Sequence, residues 1–338
     1  MKIDIFNHIL PKPYYDRMID KMPSGAYMLK RVSNIPFLYD LDTRFRKIEQ
    51  FGDDYQQVFS VNLPPVEAVW GPDESPEMAR VANDSMAEIC ARHKDRFPGF
   101  VAALPLNNID AAIVEAERAI KTLGAKGVQV FSNINGHPMD EEQFFPLFQK
   151  MHDLDYPLWV HPTRAATTPD YSTETRSKYD LWWAFGWPYE TSNFMGRLVF
   201  SGLFDKLPDL KIITHHLGAM VPYFEMRAGP GLDQLGTRSD DPEDNAALGR
   251  LKKRPYDYFR MFYGDTALFG AWHAMESGLE FFGADHVLFG TDMPFDPERG
   301  PGFIRDTIGA MTRMRASEAD KARIYEGNAR RMLKLRLT

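Results

Sequence analysis

Five side chains in this sequence could share one piece of chemistry: His8, His161, His215, His216 and Asp292. Neutral imidazole and carboxylate are ligands for zinc and other divalent transition metals. Both groups also carry protons in acid/base catalysis, and imidazole titrates close to neutral pH. Taken singly, each has an ordinary structural reading, as a hydrogen-bonded histidine or, for Thr291-Asp292, a helix cap. Their placement argues for a joint one. His8 follows the apolar run Lys2–Asn7, His161 ends Pro157–His161, His215 and His216 end Lys211–His215, and Asp292 follows His286–Thr291.

The first run also contains a gap in the pattern. Residues two apart on a strand point to the same face, so positions 6 and 8 address one space. A His-x-His pair there would supply two arms of a metal site, and this chain carries Phe6 in front of His8. Asn7 lies between them, and alternation points it away from that space. For the adjacent histidines, alternation likewise puts His215 opposite His216, packed behind the sheet.

Four more strand candidates complete the set: Gln57–Val61, Phe100–Ala103, Gly127–Phe131 and Arg260–Gly264. Helix-like stretches such as Glu77–Asp95, Ile109–Leu123 and Glu141–Leu154 lie between strands, with helix-start chemistry at Asn108 and Asp140. Alternating strands and helices predict an α/β chain folded as a parallel (β/α)8 TIM barrel, in which strand carboxyl ends converge on one mouth. Ser24–Asp42 and Thr163–Tyr189 read as active-site insertions after strands one and five. No repeat, low-complexity tract or linker divides the chain, so residues 1–338 are expected to form a single domain.

At 338 residues, with 44% hydrophobic and 26% charged residues, the composition is that of a globular domain. A net charge of −7 disfavours nucleic acid or an anionic membrane as partner. No apolar run approaches about 18 residues, which predicts no membrane span. The start MKIDIFNHIL lacks the basic region of a secretory signal. A lone cysteine, Cys90, excludes an internal disulfide framework and fits a reducing compartment, so a cytoplasmic location is expected.

The order of motifs resembles the amidohydrolase-related decarboxylases, the group typified by 2-amino-3-carboxymuconate-6-semialdehyde decarboxylase. The carrying segments are Met1–Pro11, Leu158–Pro162, Leu203–Lys211, His216-Leu217-Gly218 with Pro222, Leu288–Phe295 and Gly327-Asn328-Ala329. The resemblance implies that His8, His161 and Asp292 are metal ligands and His216 the catalytic acid/base, Asp292 sharing the proton work. It implies one divalent metal ion, zinc being the expected one, and a homodimer in which Arg227 reaches a neighbouring site to bind substrate carboxylate. Phe6 departs from the pattern, since relatives carry His or Glu there as a ligand. The alternative to a retained three-ligand site is a barrel mouth repacked around Phe6 without metal. Lysine is absent from Gly127–Phe131, which disfavours a bridged two-metal centre.

Local reasoning adds substrate contacts. Arg164 suits bidentate carboxylate recognition. The stretch Thr163–Tyr189 carries Tyr171, Tyr179, Trp182, Trp183, Phe185 and Trp187, of which Trp182 or Trp183 is expected to face the site as the wall of a flat pocket, with Phe6 beside it. Asp265 at the end of strand seven reads as a helix cap or as an orienter of a ligand, the cap being the simpler role. The expected activity is metal-dependent, nonoxidative decarboxylation of a small anionic unsaturated or aromatic acid. A hydrolase or hydratase on the same architecture, metal-free acid/base catalysis, and a noncatalytic binding protein are the alternatives.

Overall fold

In the computed structural model, which describes residues 1–26 and 28–335, each of the eight apolar runs contributes a strand. They are β1 (Lys2–Ile9), β2 (Tyr55–Val61), β3 (Gly99–Phe100), β4 (Val128–Phe131), β5 (Leu158–His161), β6 (Ile212–Thr214), β7 (Tyr263–Asp265) and β8 (Val287–Leu288). All pairings among them are parallel: β1-β2-β3 form one sheet, and β8-β7-β6-β5-β4 form another. The strands are buried on both faces, as parallel strands require when helices cover them; every residue of β2 is buried.

Backbone hydrogen bonds also run between the two sheets. On one side Lys126 N donates to Phe100 O (2.8 Å) and Gln129 N to Ala102 O (2.9 Å). On the other, Ile5 N donates to Phe289 O (2.9 Å), and His8 N to Met293 O (3.0 Å). These bonds lock β1 to the segment that follows β8, which places His8 beside Asp292.

One extra residue in β1 fixes what that strand presents. Its register with β2 slips between Asp4 and Asn7, with three steps on β1 set against two on β2. Such a bulge re-aims the residues that follow it. Ile3, Ile5 and Phe6 therefore join one apolar cluster with Val58, Val101, Trp159, Ile213 and Leu288, forming the floor under His8. Asn7 points away, as alternation predicts, and donates from Nδ2 to Asp4 O at 2.9 Å. Arg44, fully buried, donates to the His8 carbonyl and to Gln57 Oε1 (2.6 Å).

The expected helices form over Ser75–Arg92, Ile109–Lys121 and Phe145–Leu154. Asn108 caps the second by accepting from Ala111 N at 3.2 Å. Asp140 caps nothing; it pairs with Arg197 Nε at 2.7 Å, and its helix starts later without a side-chain cap. Among the described residues no helix is long and apolar enough to cross a membrane.

Candidate metal and proton-transfer site

The strand ends bring His8, His161, His215, His216 and Asp292 together. His8 Nε2 lies 3.1 Å from Asp292 Oδ1, and His215 Nε2 lies 3.3 Å from the same oxygen. His216 Nε2 approaches Asp292 Oδ2 at 3.7 Å. One ligand atom each from His8, His161 and His215 falls within 4.8 Å of the others, and the same holds for His215, His216 and Asp292.

His215 is where alternation misleads. It does not pack behind the sheet; it enters the site. The strand ends at Thr214, and the chain turns at once through left-handed backbone, with φ of +55° at His216 and +53° at Leu217. Left-handed conformations in non-glycine residues cost roughly 1–3 kcal/mol each and persist where surrounding packing imposes them. Leu217 supplies that packing against Gly264, where a Cβ would stand only 3.1 Å from the Leu217 Cα. Both adjacent imidazoles thereby face Asp292, itself left-handed at φ +60°.

Each of three rings has its Nδ1 engaged by an oxygen. His161 Nδ1 donates to the Pro162 carbonyl at 2.7 Å, His215 Nδ1 meets Asp265 Oδ2 at 2.5 Å, and His8 Nδ1 is 3.4 Å from Ser60 Oγ. Such partners fix ring orientation and turn each Nε2 toward the shared space, as an ion-binding site would need. Asp265 is thus an orienter and not a helix cap, since the next helix begins only at Trp272; its other oxygen accepts from Ala267 N at 2.9 Å. Three imidazoles and a carboxylate, all buried, fit a divalent transition metal.

Electrostatics follow burial first. Burial holds His8 and His216 below the usual imidazole range and His161 well below it, so these rings stay neutral. For His215, burial opposes charge, but Asp265 and Asp292 outweigh it and raise its pKa to about 9. Burial also opposes charge on Asp292, yet His215, His216 and His8 hold its carboxyl well below the usual range.

Phe6 stacks face to face on His215, centroids 3.6 Å apart and planes 6° from parallel. Trp187 sets its edge against His161 at 5.3 Å, Phe295 packs on His8 at 5.6 Å and Phe269 on His216 at 5.5 Å. Trp182 and Trp183, expected at this wall, stand behind Trp187 at 5.8 and 6.4 Å, and Trp183 is exposed. Arg164 pairs with Glu190 at 3.3 Å beside a polar cavity of about 730 Å³ that Ser132, Asn133 and Thr163 also line, just past the ends of β4 and β5. Arg227 is exposed on the short helix Glu225–Leu232 and lines a separate groove of about 1430 Å³.

Sequence reasoning missed His215 and gave Trp187 too little weight. One signal was available for His215: the Asp265 that could orient it sits at the end of the neighbouring strand.

Parallel strands ending in this histidine–aspartate cluster define a class, and residues 40–335 match the family described as Amidohydrolase. The chain belongs to the amidohydrolase family. It is 34% identical to the gamma-resorcylate decarboxylase of Polaromonas sp. strain JS666, with 87% of each chain covered. It is 27% identical to the 2-amino-3-carboxymuconate-6-semialdehyde decarboxylase of Dictyostelium discoideum, over 99% of this chain and 92% of that one. Among solved structures, a dihydroxybenzoic acid decarboxylase from Polaromonas sp. JS666, with bound manganese and the inhibitor 2-nitroresorcinol, superposes with a TM-score of 0.77. It is 28% identical, over 100% of this chain and 98% of that chain.

Proposed function

We propose that this chain is a metal-dependent, nonoxidative decarboxylase of a small aromatic carboxylic acid bearing an oxygen next to the carboxylate. The observation that carries the reading is the pair of buried clusters His8, His161, His215 and His215, His216, Asp292, which share His215, in a chain resembling decarboxylases of that kind. The hydrogen bonds joining the two sheets support a closed (β/α)8 barrel forming one domain, with long connections after β1 and β5 as its active-site insertions.

His8, His161 and Asp292 would hold the ion, for which zinc is proposed on the strength of the imidazole donors. When bound, a divalent cation supplies Lewis-acid polarisation of an adjacent substrate oxygen. The rest falls to the protein's side chains. The buried rings of Phe6 and Trp187 beside His215 and His161 keep water from that side of the site, which strengthens charge interactions there. His216 Nε2, neutral at rest and 3.7 Å from Asp292 Oδ2, would take up a proton and deliver it to the carboxyl-bearing carbon, the carboxylate offsetting the imidazolium charge while the proton is held. The carbon–carbon bond then breaks, its electron pair restores the ring's conjugation, and CO₂ leaves.

Arg164, at the polar cavity, is the proposed carboxylate guide from within the chain. Arg227 is the proposed guide from a second copy; its exposed position near the exposed Tyr223 and Met226 suits a homodimer face. A cytoplasmic location agrees with the lone free cysteine, the half-buried Cys90. The test is CO₂ release from 2,6-dihydroxybenzoate and related hydroxybenzoates, with and without a chelator. Asp292→Asn should lower turnover by at least about 10²-fold, the lower end of general acid–base contributions. Product formation without CO₂ would replace this reading with hydrolysis or hydration.

A further inference from the structure

We infer that His215 is itself a metal ligand in this chain, taking over the coordination position that Phe6 cannot fill. The inference rests on the metal-binding reading above and concerns which residues complete the site.

Four observations carry it. Phe6 does not leave a void; its ring lies flat on the imidazole of His215 and sets the plane of that ring. On the other side of the ring, Asp265 holds Nδ1 and so turns Nε2 into the site. This Nε2 is buried 3.3 Å from Asp292 Oδ1, with which it forms an ion pair when the imidazole is protonated. A divalent cation that displaces the imidazolium proton would find the nitrogen and the carboxylate oxygen already spaced as fellow ligands. Two ligands, each about 2.0–2.1 Å from a tetrahedral zinc, stand about 3.3–3.4 Å apart. The fourth observation is the company His215 keeps. Its ligand atom shares one cluster with those of His8 and His161.

The chemistry of position 6 explains the exchange. A side chain that ligates from β1 and a stacked phenyl ring cannot occupy the same volume, and the phenyl ring instead supports a ligand arriving from the end of β6. The resulting set, three imidazoles and one carboxylate, is richer in nitrogen than one that takes a carboxylate from position 6. Nitrogen-rich sets favour zinc or cobalt over manganese.

The experiment starts from metal-stripped protein. Cobalt(II) is titrated into wild type, His215→Ala, Asp265→Asn and His161→Ala, and the visible absorption of the bound ion is followed. The zinc-loaded wild type is examined by X-ray absorption, which counts imidazole ligands without depending on any variant's folding. Three imidazoles in wild type, falling to two in His215→Ala, is the expected result. Asp265→Asn should weaken cobalt binding roughly 10–100-fold, the usual effect of removing a ligand's orienting partner, and His215→Ala at least as much. Two imidazoles in wild type, with His215→Ala binding cobalt as wild type does, overturns the role of His215 while leaving the metal reading intact. Failure of the wild type to take up either ion, or unchanged binding by His161→Ala, overturns both.

Discussion

Asp4 couples the framework of the site to pH, and its replacement by asparagine tests that coupling. Its Oδ2 accepts from Tyr55 Oη and from Thr291 Oγ1, both at 2.6 Å, while Oδ1 accepts from Thr291 N at 3.1 Å. The carboxyl thereby ties β1 and β2 to the residue preceding Asp292. Burial pushes its pKa from 3.8 up to about 7, against hydrogen bonds that favour the charged form. Since the folded pKa is the higher one, this group's contribution to stability is complete below the unfolded value. It is lost as pH rises through about 7. The gap, 7 − 3.8 = 3.2 pH units, corresponds to about 4 kcal/mol, of which about 3 kcal/mol falls between pH 5 and pH 8. Asp4→Asn removes the titration at a fixed cost of about 1–3 kcal/mol, because an amide brings N–H donors to a place ringed by donors. Urea unfolding of chelator-treated wild type and variant should show wild type at its best relative to the variant at pH 5, near parity or ahead, since about 1–2 kcal/mol is already lost there. The difference should move by about 3 kcal/mol in the variant's favour by pH 8. Parallel profiles for the two proteins would refute the argument.

Phe6→Ala removes a fully buried ring and its stack on His215; a loss of about 3–5 kcal/mol in unfolding free energy is expected, as for other buried aromatics. Denaturant midpoints check it, and a change under about 1 kcal/mol would mean that the site collapses freely around the gap. Gly290→Ala would put a Cβ 2.9 Å from the Phe6 Cβ and 3.0 Å from the Asp265 Cβ. Overpacking of this sort costs about 1–3 kcal/mol, and the shift it forces on Asp265 should lower CO₂ release; unchanged stability and turnover would contradict the tight approach. Trp187→Leu, which strips the edge contact from His161, should raise the KM for an aromatic acid more than it lowers kcat. A pure loss of stability with unaltered kinetics would make Trp187 structural only.

Strand existence and order were legible because buried parallel strands are continuous apolar runs, and helices of a different period separate them. Five strands fall almost on their expected ranges; β3 and β8 are cut to two residues each, with a bridge from Ala102 to Val128 extending β3, and β7 begins three residues later than expected. The helix start at Asn108 was equally legible, since a cap is a local interaction. Asp140 offered the same chemistry and was drawn away by Arg197, a partner 57 residues distant in sequence, which local reading has no means to weigh.

The sequence alone determined that histidines and an aspartate stand at or just past the ends of four strands, that position 6 carries a phenyl ring, and that Asn7 points elsewhere. Those conclusions need only the two-residue period of a strand and the convergence of parallel strand ends. Only the tertiary structure decided that His215 joins the cluster, that Asp265 orients it, and that Trp187 packs on His161. Alternation holds as long as a strand continues, and this one stops at Thr214. Past that point side-chain direction is set by the left-handed turn at His216 and Leu217, which packing against Gly264 on a neighbouring strand holds in place.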